Sequence, residues 1–332
     1  MMKKEQFKHG YALLIGVGQH NVDSRLSLPV TVNDVAALER TLIDPRLCAY
    51  PRDHVRAHVN EAATNSNILQ GLAWLKTRAN ADPEATMLIY FSGHGWVSPD
   101  ERYFLVSQDT IAGAVADTAL PATAFTNVLR DVAAKRLLIV LDCCHAQGMA
   151  EVKALAGLDD ALAKGLIKSD ATMKSITESL AQGEGRAVFS SSKGDEQSYF
   201  LKDRSLSIFT KHFVEGLEGA GLPPGAQQVT IGSLMTYLGK TVPETVSELY
   251  NASQHPFFKV ESTEIPVALV RGGKGVPPGG WAPVERTSGR DREGVRIVKI
   301  KNVNTGGGPY FGGKVTAGRD VIVGDKVSIK KR

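Results

Sequence analysis

Short, wholly apolar runs separated by stretches of helical periodicity constrain this chain more than any other feature. Residues 11–17 (YALLIGV), 86–91 (TMLIYF) and 136–142 (RLLIVLD) are each about strand length and carry almost no polar side chain. A strand apolar on both faces is buried on both faces, which is the condition of a parallel sheet covered by helices. The intervening segments supply those helices. Asn33 is placed to cap a helix through Val35, Leu38 and Leu42 that Pro45 ends. Ile68, Leu69, Leu72 and Leu75 recur at helical spacing within 64–78, and 122–133 reads as a further helix. Residues 54–59 alternate as a strand does, and 101–107 reads as a short extended piece. Farther on, 186–191 reads as a strand, 209–217 and 231–249 as amphipathic helices, and 254–260 as a last strand opening near Pro256. Strand and helix in alternation predict an α/β fold with a mostly parallel central sheet.

Length and composition bound the remaining possibilities. The chain has 332 residues, 42% hydrophobic and 22% charged, which suits a large globular domain with a smaller appendage. No apolar run approaches the roughly 20 residues that span a bilayer, and no apolar stretch of signal-peptide length follows the N-terminal lysines. The cysteines are Cys48, Cys143 and Cys144, a sparse and odd set that argues against a disulfide framework. A cytoplasmic location is therefore expected, with no membrane contact. Charge is uneven: from Glu264 onward 14 Lys and Arg face 6 Asp and Glu, although the whole chain carries only +4. Such a basic tail either meets nucleic acid or another acidic surface, or is simply solvated; nucleic acid is the less expected partner. Residues 1–262 are expected to form the main domain. Residues 151–185, rich in Ala, Lys, Asp and Ser, read as a connector within it. A Pro/Gly linker follows over 263–285, and 286–332 forms a small Gly-rich basic tail of β type. Of 33 glycines, 14 lie between Gly272 and Gly324.

Two polar clusters end apolar strands. Gly93-His94-Gly95 follows TMLIYFS, and Asp142-Cys143-Cys144-His145 follows RLLIVL. In open parallel sheets, ligands bind beyond the carboxyl ends of the strands, where both clusters fall. Taken singly, each has a structural reading: a histidine at a turn, and a buried cysteine at a strand end. A zinc site of His94, Cys143, Cys144 and His145 is a poor fit, because adjacent strand residues point to opposite faces. Taken together, a thiol and an imidazole at neighbouring strand ends form a nucleophile with its base. The backbone N–H groups of Gly95 and Cys144 are then placed to hold an oxyanion.

YALLIGVG (11–18), VNDVAALERTL (32–42), YFSGHGW (90–96), LIVLDCCHAQG (138–148) and SIFTKHFVEGL (207–217) together resemble the caspase-like cysteine peptidase clan, peptidase C14, and its metacaspase and bacterial orthocaspase branch most closely. The resemblance runs from about residue 11 to residue 260 and implies a caspase-like α/β/α sandwich. It implies catalysis by a His94/Cys144 dyad, and a pocket for the residue before the cut formed by Asp34, Ser92 and Asp142. Two carboxylates in a pocket attract a cationic side chain, so protein substrates cut after Arg or Lys are expected, whereas aspartate specificity would need arginines there. No cofactor is required. Some metacaspases use calcium; Asp109 stands where one ligand would, without a full acidic set around it. Cys143 stands where the family often has Ser, as a bystander, and the HAQG after Cys144 departs from a common HSG. Lys153, Lys164, Lys168 and Lys174 in the connector offer sites for self-processing, so the chain is expected to be a zymogen.

The Gly-rich tail resembles short segments of bacterial signalling and defence proteins. It suggests a regulated effector that meets a sensor, or another copy of itself, through 286–332. The competing expectation is a catalytically silent scaffold of caspase fold recruited by the same tail, although such relatives usually lack the Cys or His that is present here.

Overall fold

The structure is a computed structural model. It describes residues 6–20, 24–130, 132, 134–143, 177–178, 180–181, 185–193, 196–223 and 225–270. The expected connector, apart from its last residues, and the whole of 286–332 lie outside the described residues.

The central sheet has six strands in the order β10-β8-β7-β3-β1-β2. They are β1 (Gly10–Gly16), β2 (Val55–Val59), β3 (Thr86–Gly93), β7 (Arg136–Cys143), β8 (Arg186–Ser190) and β10 (Phe257–Val260). All neighbours pair in parallel except β10, which closes one edge antiparallel to β8. The apolar runs are continuous because each strand feeds two cores. Ala12, Leu14, Leu88, Tyr90, Leu138 and Val140 enter one; Leu13, Ile15, Met87, Ile89, Leu137 and Ile139 enter the other. Helices α1 (Val30–Ile43), α5 (Ile208–Leu217) and α6 (Ile231–Tyr250) cover the first face through Leu38, Phe209, Phe213, Leu238 and Val242. Helices α2 (Asn65–Ala81) and α4 (Ala122–Arg130), the latter preceded by the short α3 (Val115–Thr118), cover the second through Ile68, Leu72, Phe125 and Leu129. This is the expected α/β/α sandwich with a mostly parallel sheet.

Two local expectations are corrected and a third is made more specific. Helix α1 begins at Val30, so Asn33 lies within it rather than capping it. The chain already turns at Leu28 and Pro29, whose carbonyls accept from Thr31 and Val32 N–H, and proline suits the start of a helix. The extended piece expected over 101–107 is the middle strand of a small antiparallel sheet, β4 (Gly95–Val97), β5 (Tyr103–Leu105) and β6 (Leu120–Pro121). Finally, part of the segment expected as a linker from residue 263 is structured. β11 (Pro266–Leu269) pairs antiparallel with β9 (Gln228–Thr230) and buries Val267 and Ala268 completely. The Tyr50 hydroxyl donates to the Val267 carbonyl at 2.5 Å. Composition could not separate these four residues from the Pro/Gly stretch that follows them.

Candidate active site

The register of β3 against β7 brings the two motifs together. Ser92 pairs with Asp142 and Gly93 with Cys143 across the carboxyl ends of the strands. Val17, just past β1, donates its N–H to the Ser92 carbonyl at 3.0 Å. His94 is the next residue after β3 and is buried, 6% exposed, at the junction with β4. Its carbonyl accepts from Val106 N–H at 3.0 Å, which ties it to the residue just past β5. Cys144 follows Cys143 in the chain but lies outside the described residues, as does His145. Of the expected dyad and oxyanion hole, the described residues therefore hold His94, Gly95 and the paired strand ends alone.

Gly95 is held against a tyrosine. A Cβ there would lie 1.9 Å from the Tyr103 hydroxyl oxygen, so no other residue fits without moving that ring. Tyr103 is itself buried, and burial together with the adjacent Cys143 thiol pushes its hydroxyl well above the ordinary range. Cys143 thus sits in the second core beside Tyr103, as a packed strand residue.

The three expected pocket residues converge. Asp34, on α1, is fully buried, and so are Ser92 and Asp142. The close approach of α1 to the sheet depends on Gly16, where a Cβ would fall 2.9 Å from the Thr31 carbonyl oxygen. The Ser92 hydroxyl donates to Asp34 Oδ2 at 3.1 Å. Sequence reasoning missed the other partners. Ser207 donates its backbone N–H to Asp34 Oδ1 at 2.9 Å and its hydroxyl to Asp142 Oδ2. Thr210 donates its hydroxyl to Asp142 Oδ2 at 2.7 Å, and the Tyr90 hydroxyl lies 3.5 Å from the same oxygen. Ser207 is the N-cap of α5; the signal available was S-x-x-T ahead of an amphipathic helix, but nothing in it named the carboxylates.

Burial dominates the electrostatics of the pair. It holds Asp34 well above the ordinary carboxylate range, and the neighbouring Asp142 charge raises it further against the donors at Ser207 and Ser92. Asp142 is raised by burial too, opposed by the hydroxyls of Ser207, Thr210, Ser191 and Tyr90. Burial thus disfavours the charged forms of both, and charging either one would create a negative potential at this end of the sheet that attracts a cation.

Asp109 is engaged elsewhere. It accepts from the Asn65 N–H at 3.0 Å and the Ser107 hydroxyl at 2.7 Å at the start of α2. Among the described residues no cluster of His, Cys, Asp and Glu is arranged to hold a metal ion. Among them, too, no helix is long and apolar enough to cross a membrane.

A family model for the caspase domain, peptidase C14, matches residues 9–265, which takes in both motifs and every pocket residue. The chain belongs to the caspase domain family. A curated relative, metacaspase-1B of Aspergillus terreus, is 26% identical over 193 residues, 52% of this chain and 48% of that protein. The chain thus spans about half the length of the curated relative it matches. Among solved structures, protein GSU0716 from Geobacter sulfurreducens aligns with a TM-score of 0.50 at 15% identity, over 79% of this chain and 97% of that one, a likeness of fold. Caspase-1 from Spodoptera frugiperda aligns with a TM-score of 0.47 at 14% identity, over 84% of this chain and 94% of that one. The caspase domain match ends at residue 265, one residue before β11 begins, and β11 pairs with β9 just beyond it.

Proposed function

We propose that this chain is a cysteine endopeptidase of metacaspase type that cuts protein substrates after Arg or Lys. The observation that carries the reading is the β3/β7 register. Gly93 and Cys143 pair across the strand ends, and His94 and Cys144 are the residues that follow them in the chain. In this reading His94 takes the proton of the Cys144 thiol, and the thiolate attacks the carbonyl carbon before the cut. The carbonyl oxygen becomes an oxyanion held by the N–H groups of Gly95 and Cys144. The imidazolium then gives its proton to the departing amine, leaving an acyl-enzyme. Water, deprotonated by His94, attacks that thioester, and the thiol is restored.

Asp34, Ser92 and Asp142 form the floor of the pocket for the basic side chain. Support comes from their convergence in full burial at the end of the sheet. The regulated role, with self-processing in 151–185 and recruitment through 286–332, rests on sequence alone; loss of activation in cells on deleting 272–332 tests the recruitment. For the pocket, the test is cleavage of fluorogenic peptides ending in Arg, Lys, Gln or Asp by the native chain and by Asp34→Asn and Asp142→Asn. Preference for Arg and Lys, lost in both variants, is expected. Preference for Asp, or an unchanged ranking in both variants, would refute the pocket.

A further inference from the structure

We propose that Ser207 and Thr210, on the first turn of α5, are positioning residues that set the spacing of the Asp34–Asp142 pair and with it the preference for a basic side chain. The inference rests on reading those carboxylates as the floor of the pocket.

The two carboxylates come from different elements, α1 and β7, and repel each other when both are charged. Something must hold them at one spacing. A single residue, Ser207, touches both: its N–H reaches Asp34 and its hydroxyl reaches Asp142. The same oxygen accepts from Thr210 N–H at 2.8 Å, so Ser207 is itself fixed as the helix cap. Thr210 repeats the grip on Asp142 Oδ2, and its hydroxyl lies 2.5 Å from the Tyr90 hydroxyl on β3. An isolated bridge pairs Ser207 with Phe200, anchoring the approach to the helix. Ser207 is 1% exposed and Thr210 is fully buried, so neither bond competes with solvent. The pair also lies at the N-terminal end of α5, whose cap N–H at Ser207 bonds Asp34, and the positive end of a helix dipole favours the charged carboxylate.

These bonds give the serine and threonine a role that a plain helix start lacks. Removing the Thr210 hydroxyl leaves Ser207 capping α5 but frees one grip on Asp142. The carboxylate is then less well placed and less readily charged, and the arriving cation meets a weaker partner. The chemistry at Cys144 is untouched by this change.

The experiment measures kcat and KM separately for Thr210→Val, Ser207→Ala and Ser207→Thr, on peptides ending in Arg or Gln, across pH, with thermal melting of each chain. Thr210→Val is expected to raise KM for the Arg peptide about tenfold, the scale of one lost hydrogen bond to a charged group. Its kcat should stay within about twofold and its Gln-peptide KM should not move. The pH at which the Arg-peptide KM falls should move upward. Ser207→Thr should restore most of what Ser207→Ala loses. An unchanged KM in Thr210→Val, or an equal loss on both peptides that follows the melting temperature, would overturn the inference. If Asp34→Asn also leaves the Arg preference intact, the pocket reading has failed; if only Thr210→Val is silent, the positioning role has failed alone.

Discussion

At Asp34, binding and folding respond to pH in opposite directions. Its carboxyl is held above the ordinary 3.8, first by burial and then by Asp142. A group raised on folding contributes stability that is complete below its unfolded value and is lost as pH rises through the folded one. Charging the pair therefore costs stability, while in the proposed function it creates the attraction for Arg or Lys. KM for an Arg peptide should fall as pH rises above the usual carboxylate range, while KM for a Gln peptide stays flat; a parallel response of both would separate Asp34 from binding. Gly95 makes a steric prediction. Gly95→Ala must push the Tyr103 hydroxyl aside, since the added Cβ would lie 1.9 Å from its oxygen, and because Gly95 follows His94 in the chain kcat should drop at least about tenfold. The strands that precede His94 and Cys144 were legible because each is a continuous apolar run. The partners of Asp34 were not: Ser207 lies 173 positions away, and a single sequence carries no record of that pairing.

Among the elements, α5 and α6 are joined by a polar group away from the candidate site. His212 Nδ1 lies 2.8 Å from Glu215 Oε2, and its Nε2 lies 2.8 Å from the Thr245 hydroxyl. Tyr237 donates its hydroxyl to Glu215 at 3.0 Å, and Lys211 pairs with Glu215 at 2.8 Å. Burial alone would raise Glu215, but its bonds to His212 and Lys211 outweigh it and hold the carboxyl down at about 2. The sign is opposite to that of Asp34: this stability is present above the ordinary 4.5 and is lost as pH falls toward 2. The melting temperature should therefore fall between those values in the native chain and less steeply in Glu215→Gln, as scanning calorimetry would show. Long periodic elements such as α2, α5 and α6 were legible from their spacing. The strands β4, β6, β9 and β11 were not, because two to four residues give no periodicity to read.

Over the whole molecule, one sheet with two covered faces explains why the first 145 residues and the last strands act as one unit. β2 and β10 close its edges, and β11 locks the far side through Tyr50 and the cluster around Val229 and Ile231. The fold class was legible because buried parallel strands demand helices on both sides. The end of the domain was not, because glycine and proline dominate the sequence just beyond it. A chain ended at residue 275 should melt cooperatively, whereas one ended at 262, without β11, should melt at least about 5 °C lower, since uncovering even one valine costs about 2 kcal/mol. Equal melting of the two would show that β11 is dispensable.

In the proposed function Cys144, not its neighbour Cys143, is the nucleophile. The direct measurement is labelling by a thiol-reactive chloromethyl ketone peptide ending in Arg, mapped by peptide mass spectrometry in the native chain, His94→Ala, Cys143→Ala and Cys144→Ala. One adduct is expected, on Cys144, that forms in Cys143→Ala, slows sharply in His94→Ala and is absent from Cys144→Ala, with cleavage following the same order. An adduct on Cys143, or cleavage that survives Cys144→Ala, would contradict it.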